Sequence, residues 1–261
     1  MAVILKLIFF LSIILIIGCS NSDTTDPIEL VQQSTKVTSD ISLADISKIS
    51  VENSKGGLII NGSDVDETLS YTLSKTVKAE SGDKAQAHFD DIELETETLN
   101  DSMKFFVKYP SDSDRLESYG YLDLDIPRGI PCTISNMREG IYSSYMSNTI
   151  TVKNVKDHIK IVGHNGSCDL ETEKGELEIE IAVPDSGFCK AVTLDGDIIL
   201  KIPTETSAAI SAVTESGTVT YENLVISNMN QEEGKLSGVL GSGSGEIIIS
   251  TKNGNINITG I

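Results

Sequence analysis

From Gly175 onward the sequence repeats itself with a period of 21 residues. Gly175 is followed by Leu177, Ile179 and Ile181, alternating with Glu176, Glu178 and Glu180. Gly196 is followed in the same register by Ile198, Leu200 and Ile202, and Gly217 by Val219 and Tyr221. The residues before these glycines also align: Cys168 with Cys189 and Ile210, Leu170 with Ala191 and Ala212, and Thr172 with Thr193 and Thr214. Each threonine stands three residues before its glycine, and the same T-x-x-G recurs at Thr251 and Gly254. Alternation of this kind marks half-buried strands, and a fixed period near 20 marks stacked repeats. A β-sandwich also has short alternating strands, but no fixed period. The expected fold is therefore all-β, a β-solenoid of about 21-residue rungs stacked about 4.8 Å apart. Gly175, Gly196, Gly217 and Gly254 are its expected turns. Leu177, Ile179, Ile181, Ile198, Leu200 and Ile202 are its expected core. Rungs one period apart are expected to be neighbours.

The earlier part of the chain is less regular. Asp45 to Asp64 reads as an opening rung, with Ile49 and Val51 before Gly56-Gly57 and Leu58 and Ile60 after. One or two helical turns are expected around Ala85 to Phe89, a strand at Lys104 to Pro110, and a polar loop at Ser111 to Gly120. Together these form an irregular N-terminal cap, which a solenoid needs to avoid an open sheet edge.

The N-terminus carries Lys6, the apolar run Leu7 to Ile17, then Gly18-Cys19. A cation, a short apolar segment and a small residue make an export signal. The run is short for a membrane-spanning helix. Gly18-Cys19 resembles the lipobox of bacterial lipoproteins, although Ile17 stands where the strict pattern has a small residue. That resemblance implies cleavage before Cys19, lipidation of its thiol, and attachment to the extracytoplasmic side of the cell envelope. Acyl chains at ~0.8 kcal/mol per buried CH₂ anchor such a protein stably. The expected organisation is a signal peptide over 1–18, a lipidated Cys19 with a polar tether over 19–40, and one solenoid domain over 41–261.

The net charge of −19 argues against nucleic acid as a partner, because phosphate contacts need clustered Lys and Arg. An acidic surface of this kind mostly serves solubility.

The G-x-[IV]-x-[IV] strands, the T-x-x-G turns, the corners at Ile126-Pro127 and Ile202-Pro203, and the ending GSGSGEIIISTKNGNINITG resemble the putative-adhesin β-solenoid family of bacterial cell envelopes. The resemblance runs from about Ile46 to Ile261 and brings no catalytic residues with it.

Residues that carry chemistry are sparse. His158 and His164, six apart in sequence, lack an obvious third ligand for a metal. GSGSG lacks the Lys-Ser/Thr of a phosphate loop. No nucleophile elbow is present, and Glu176, Glu178 and Glu180 form an outward acidic face. Trp is absent, which weakens a sugar-stacking groove. The best contact patch is Arg138 with Tyr142 and Tyr145. Cys132, Cys168 and Cys189 remain after lipidation, an odd number. Cys168 and Cys189, one period apart, form either a stacked pair of thiols or a disulfide. No cofactor or metal and no enzymatic activity are expected. The sequence points to a surface-anchored lipoprotein that binds an unidentified protein or surface ligand through its solenoid faces, as an adhesin does. The alternative is an envelope-stress sensor or scaffold with a partner in the same membrane.

Overall fold

The computed structural model describes residues 30–65, 67–111 and 116–261. The expected export signal and Cys19 lie outside the described residues. In chain order the elements are β1 (Val31–Ser42), β2 (Lys48–Glu52), β3 (Leu58–Ser63), β4 (Thr68–Ala79), the helix α1 (Gly82–Ala87), β5 (Glu93–Leu99), β6 (Ser102–Lys108) and β7 (Leu116–Pro127). They continue with β8 (Cys132–Ser135), β9 (Ile141–Ser144), β10 (Ile150–Val155), β11 (Ile159–His164), β12 (Cys168–Lys174), β13 (Leu177–Ile181), β14 (Phe188–Asp195) and β15 (Ile198–Ile202). The last are β16 (Ala208–Ser216), β17 (Val219–Glu222), β18 (Ile226–Glu232), β19 (Lys235–Leu240), β20 (Gly245–Asn253) and β21 (Ile256–Gly260).

These strands form a two-sheet solenoid. The first sheet runs β1-β4-β7-β3-β9-β11-β13-β15-β21-β17, and the second β18-β19-β16-β20-β14-β12-β10-β8-β2-β6-β5. Each rung is a strand of the second sheet, a corner, and a strand of the first. Side chains alternate inward and outward, so the inward ones stack in columns across rungs. In the second sheet one column runs Met103, Ile49, Cys132, Ile150, Cys168, Cys189, Ile247, Ile210. Its counterpart in the first sheet runs Leu122, Leu58, Ile141, Ile159, Leu177, Ile198, Ile256, Val219. All of these are buried, as are Ile179, Ile181, Leu200 and Ile202. Cys168 and Cys189 face each other as thiols with their sulfurs 3.4 Å apart. Cys132 lies two rungs from Cys168 with Ile150 between, and burial pushes its thiol up to about 12.

The rungs do not stack in chain order. β14–β15 is followed in space by β20–β21, and only then by β16–β17. The expectation that Gly196 and Gly217 head neighbouring rungs is therefore corrected: Cys189 pairs with Ile247, and Ile210 pairs with the far side of Ile247. The reason is that the ending repeats the same pattern, so two segments fit the same neighbour. The N-terminal end is similarly out of order, with β6–β7 lying outside β2–β3.

The corners explain the T-x-x-G motif. Thr193 donates its hydroxyl to Gly175 O (3.4 Å), Thr251 to Gly196 O (2.9 Å) and Thr214 to Gly254 O (2.8 Å). In each case a threonine on one rung holds the corner glycine carbonyl of the rung beneath. A Cβ on Gly196 would meet Gly175 O at 2.1 Å, with φ at +156°. Only glycine allows the corners to nest this closely.

Antiparallel strands close both ends. The β18–β19 hairpin covers β16. At the other end β1 pairs with β4 and β4 with β7, while β5 covers β6. Helix α1 begins at the N-cap Ser81 and tucks Ala85 beneath this region with Phe89 and Ile92. The expected tether over 19–40 is corrected for residues 31–40, which belong to β1. Thr35, Val37 and Ser39 alternate with Ser34, Lys36 and Thr38, and β-branched residues suit a half-buried edge. The expected polar loop at Ser111 to Gly120 is likewise shortened, since β7 begins at Leu116.

Candidate ligand-binding corner

In the C-terminal rungs the corner between the sheets is narrow and lined by glycine. Toward the N-terminal rungs it carries rings and charges instead. Asn53, fully buried, takes the place of threonine there and donates to Gly120 O (2.7 Å) and Gly57 O (3.3 Å). The Tyr109 hydroxyl bonds the Asn53 side-chain oxygen, and burial pushes the Tyr109 phenol well above its ordinary value. Lys55 donates to Pro110 O (3.2 Å), its ammonium 5.3 Å from the centre of the Tyr109 ring.

On the outer face at this corner, successive rungs place Tyr121, Gly57, Gly140 and His158 in one row. The Tyr121 ring leans over Gly57, where a Cβ would come 2.5 Å from Cε2. The His158 ring leans over Gly140, where a Cβ would come 2.2 Å from Cε1. Two bare glycines thus leave room for two rings, Tyr121 over Gly57 and His158 over Gly140, on adjacent rungs. Tyr121 is 42% exposed, and Tyr142 stands in the adjacent row between Ile59 and Lys160. Burial first, then the charges of Asp123 and Glu139, raises the Tyr121 phenol, so its hydroxyl stays a donor. A cleft of about 190 Å³ opens beside the row, lined by Lys55, Leu116, Glu117, Ser118, Tyr119, Arg138 and Glu139.

The expected patch of Arg138, Tyr142 and Tyr145 divides in the structure. Arg138 lines the cleft, and Tyr142 lies on the face beside it. Tyr145 sits beyond the other end of β9, 60% exposed at φ +56°, with its ring against Gly163. Tyr119, Tyr121, Lys55 and His158 were not expected at this site, because their neighbours are distant in sequence and meet only through rung stacking.

On the acidic outer face Glu178 is paired with lysines. Glu178 bonds Lys160 (2.6 Å) and Lys201 (3.3 Å), and Lys160 above all holds its carboxyl below the usual value. A carboxylate held ionised in this way is a poor proton donor. Lys153 joins Asp169 (2.9 Å) and Glu171 (3.3 Å) on the other sheet. His164 points inward on β11 and donates its Nε2–H to Ser167 O (3.0 Å), whereas His158 is on the surface beside Asp157. Among the described residues no three His, Cys, Asp or Glu side chains converge as a metal site requires.

Residues 139–259 match the family Toastrack DUF4097. Similar solved structures include a putative cell adhesion protein from Clostridium sporogenes, 13% identical over 87% of this chain and 100% of that chain, with TM-score 0.47. A putative adhesin from Bacteroides fragilis is 11% identical over 87% of this chain and 97% of that one, with TM-score 0.27. A putative lipid binding protein from Parabacteroides distasonis is 14% identical over 85% and 96%, with TM-score 0.22. No curated protein matches the chain. Over residues 139–259 the chain matches Toastrack DUF4097, and the structure there is the two-sheet β-solenoid described above.

Proposed function

We propose that this protein is a non-catalytic binding module of the cell envelope, held at the membrane by lipid on Cys19 and engaging a surface ligand through the corner around Tyr121 and His158. The observation that carries this reading is the pair of rings laid over Gly57 and Gly140 beside the Lys55–Arg138 cleft. Exposed rings next to mixed charges offer stacking and directional hydrogen bonds on a rigid backbone. Such a surface suits recognition more than turnover, and Glu178 on the same sheet is held ionised by Lys160 and Lys201. The 1–18 signal, lipidated Cys19 and short polar segment before β1 complete the reading as an attachment.

A photo-crosslinking residue at Tyr121, compared with one at Lys190 on the other sheet, tests it in cells. Adducts from the Tyr121 position alone are expected. Equal labelling at both positions would sink the assignment of this corner. An adduct with a protein of the same envelope identifies a scaffold or sensor, and an adduct with an added surface ligand identifies an adhesin. Loss of membrane attachment in Cys19→Ala tests the anchor.

A further inference from the structure

The last seventeen residues fill a slot that the chain skipped. After β15 the chain passes to β16–β17, leaving one rung position open, and β20–β21 returns to occupy it. The two segments carry equivalent residues. Against Cys189, Ala191 and Thr193 of β14, both Ile247, Ile249 and Thr251 and the 21-residue repeat Ile210, Ala212 and Thr214 present matching side chains. The corner matches as well: Thr251 now holds Gly196 O, and Thr214 holds Gly254 O in the same way. A Cβ on Gly217 would meet Gly254 O at 2.0 Å, as one on Gly254 would meet Gly196 O at 2.1 Å, so both corners nest in the same way. If β20–β21 withdraws, β16–β17 can therefore close onto β14–β15 with its side chains, its threonine bond and its corner glycine all in register. The β18–β19 hairpin would move with it, since β19 pairs with the outer edge of β16.

The connection to the returning rung is built to pivot. Gly241-Ser242-Gly243-Ser244 follows β19, with φ of +54° at Gly241 and +76° at Gly243. It is held chiefly by Ser207, whose Oγ accepts from Ser242 N (2.9 Å) and Ser244 N (3.3 Å). Within its slot the rung has backbone partners on both sides, β14 and β16 in one sheet and β15 and β17 in the other. A second copy offers the same slot with the same partners, so exchange loses no contact once complete.

We propose that Gly245–Ile261 is an exchangeable rung, and that the partner it fits is a second copy of this chain, whose β14–β15 to β16–β17 slot it fills reciprocally. Four linker residues reach about 14 Å when extended, so the two copies would lie with their C-terminal rungs side by side.

Exchange can be read from a surface pair. Lys190 and Ile248 are cross-rung partners on the outer face of the second sheet, both exposed. Two full-length versions with different tags, one carrying Lys190→Cys and the other Ile248→Cys, are co-expressed and analysed on non-reducing gels. A disulfide joining the two tags is expected, because it requires Ile248→Cys to enter the other copy's slot. Thr133→Cys replaces Ile248→Cys as the collision control, since Thr133 lies three rungs from Lys190 on the same sheet. A single chain with both Lys190→Cys and Ile248→Cys reports that the pair closes when adjacent. Closure within that chain, with mixed-tag product no higher than in the Thr133→Cys control, would overturn the proposal.

Discussion

Thr251 donates its hydroxyl to the carbonyl of Gly196 at 2.9 Å, across 55 residues of chain. That one bond ties the last rung to the rung beneath it and fixes the corner at which both turn. Replacing Thr251 with Val keeps the shape and leaves a part-buried carbonyl without its donor. A loss of about 1–3 kcal/mol is expected, read from urea unfolding. Thr251→Ser should recover most of it. If Val and Ser behave alike, the hydroxyl is not what holds the corner.

Gly196→Ala tests the nesting of the corners. The added Cβ would lie 2.1 Å from Gly175 O, against backbone that cannot swing aside. Strain and clash together are expected to lower stability by at least ~1–3 kcal/mol. Gly129→Ala, where a Cβ meets nothing within 4 Å, is the control and should lie within about 0.5 kcal/mol of the parent. Similar melting temperatures for the two variants would contradict the packing described.

Ile179 sits fully buried between Ile161 and Leu200. Ile179→Asp places a carboxylate where no counter-charge faces it, and the stack should fail to form at neutral pH. Ile179→Val removes one methyl and should cost about 0.5–1.5 kcal/mol. A native far-UV spectrum and unchanged melting temperature in the Asp variant would show that this side chain points outward.

His164 occupies a core position beside Ile181, and burial above all lowers its pKa. Its unfolded value is about 6.5. Below that pH the unfolded chain binds more protons than the folded one, so His164 makes stability fall as the solution is acidified. His164→Ile should therefore lose less stability than the parent between about pH 7 and pH 5, by up to ~1.4 kcal/mol per pH unit. Parallel pH profiles for the two proteins would show that His164 titrates normally.

Tyr121→Ala should uncover Gly57 and weaken ligand capture at the corner with less than ~1 kcal/mol lost in stability. Crosslinking yield from a probe at Tyr142, compared with the unfolding midpoint, separates the two effects. Undiminished yield would place the ligand elsewhere on the solenoid.

The architecture was legible because its causes are local. Thr193 and Gly196 are three residues apart, and each rung repeats them, so spacing alone reveals the corner. The order of rungs was not legible, because Ile210-Ser211-Ala212 and Ile247-Ile248-Ile249 carry the same alternation of inward apolar residues, with one residue between, and the sequence does not say which segment lies on β14. β1 was hidden by composition: Thr35, Val37 and Ser39 are too polar to read as an inward face, and β4 is what makes them one. The ring pair at the corner was hidden by distance, since Tyr121 meets Gly57 and His158 meets Gly140 only after stacking. Arg138 and Tyr142 were visible as a short cluster, whereas the turn at Tyr145, with its positive φ, carries that residue to the opposite edge.

Strand β1 has a mechanical consequence. It is clasped to β4 through twelve residue pairs, from Val31 opposite Ala79 to Ser42 opposite Thr68. A pull reaching the body through the N-terminal segment arrives at the Val31 end of this clasp. Directed along the strand, it loads the whole ladder at once, and directed sideways it opens the pairs one by one from Val31–Ala79. Resistance to such a pull would then depend on its angle, through the β1–β4 ladder.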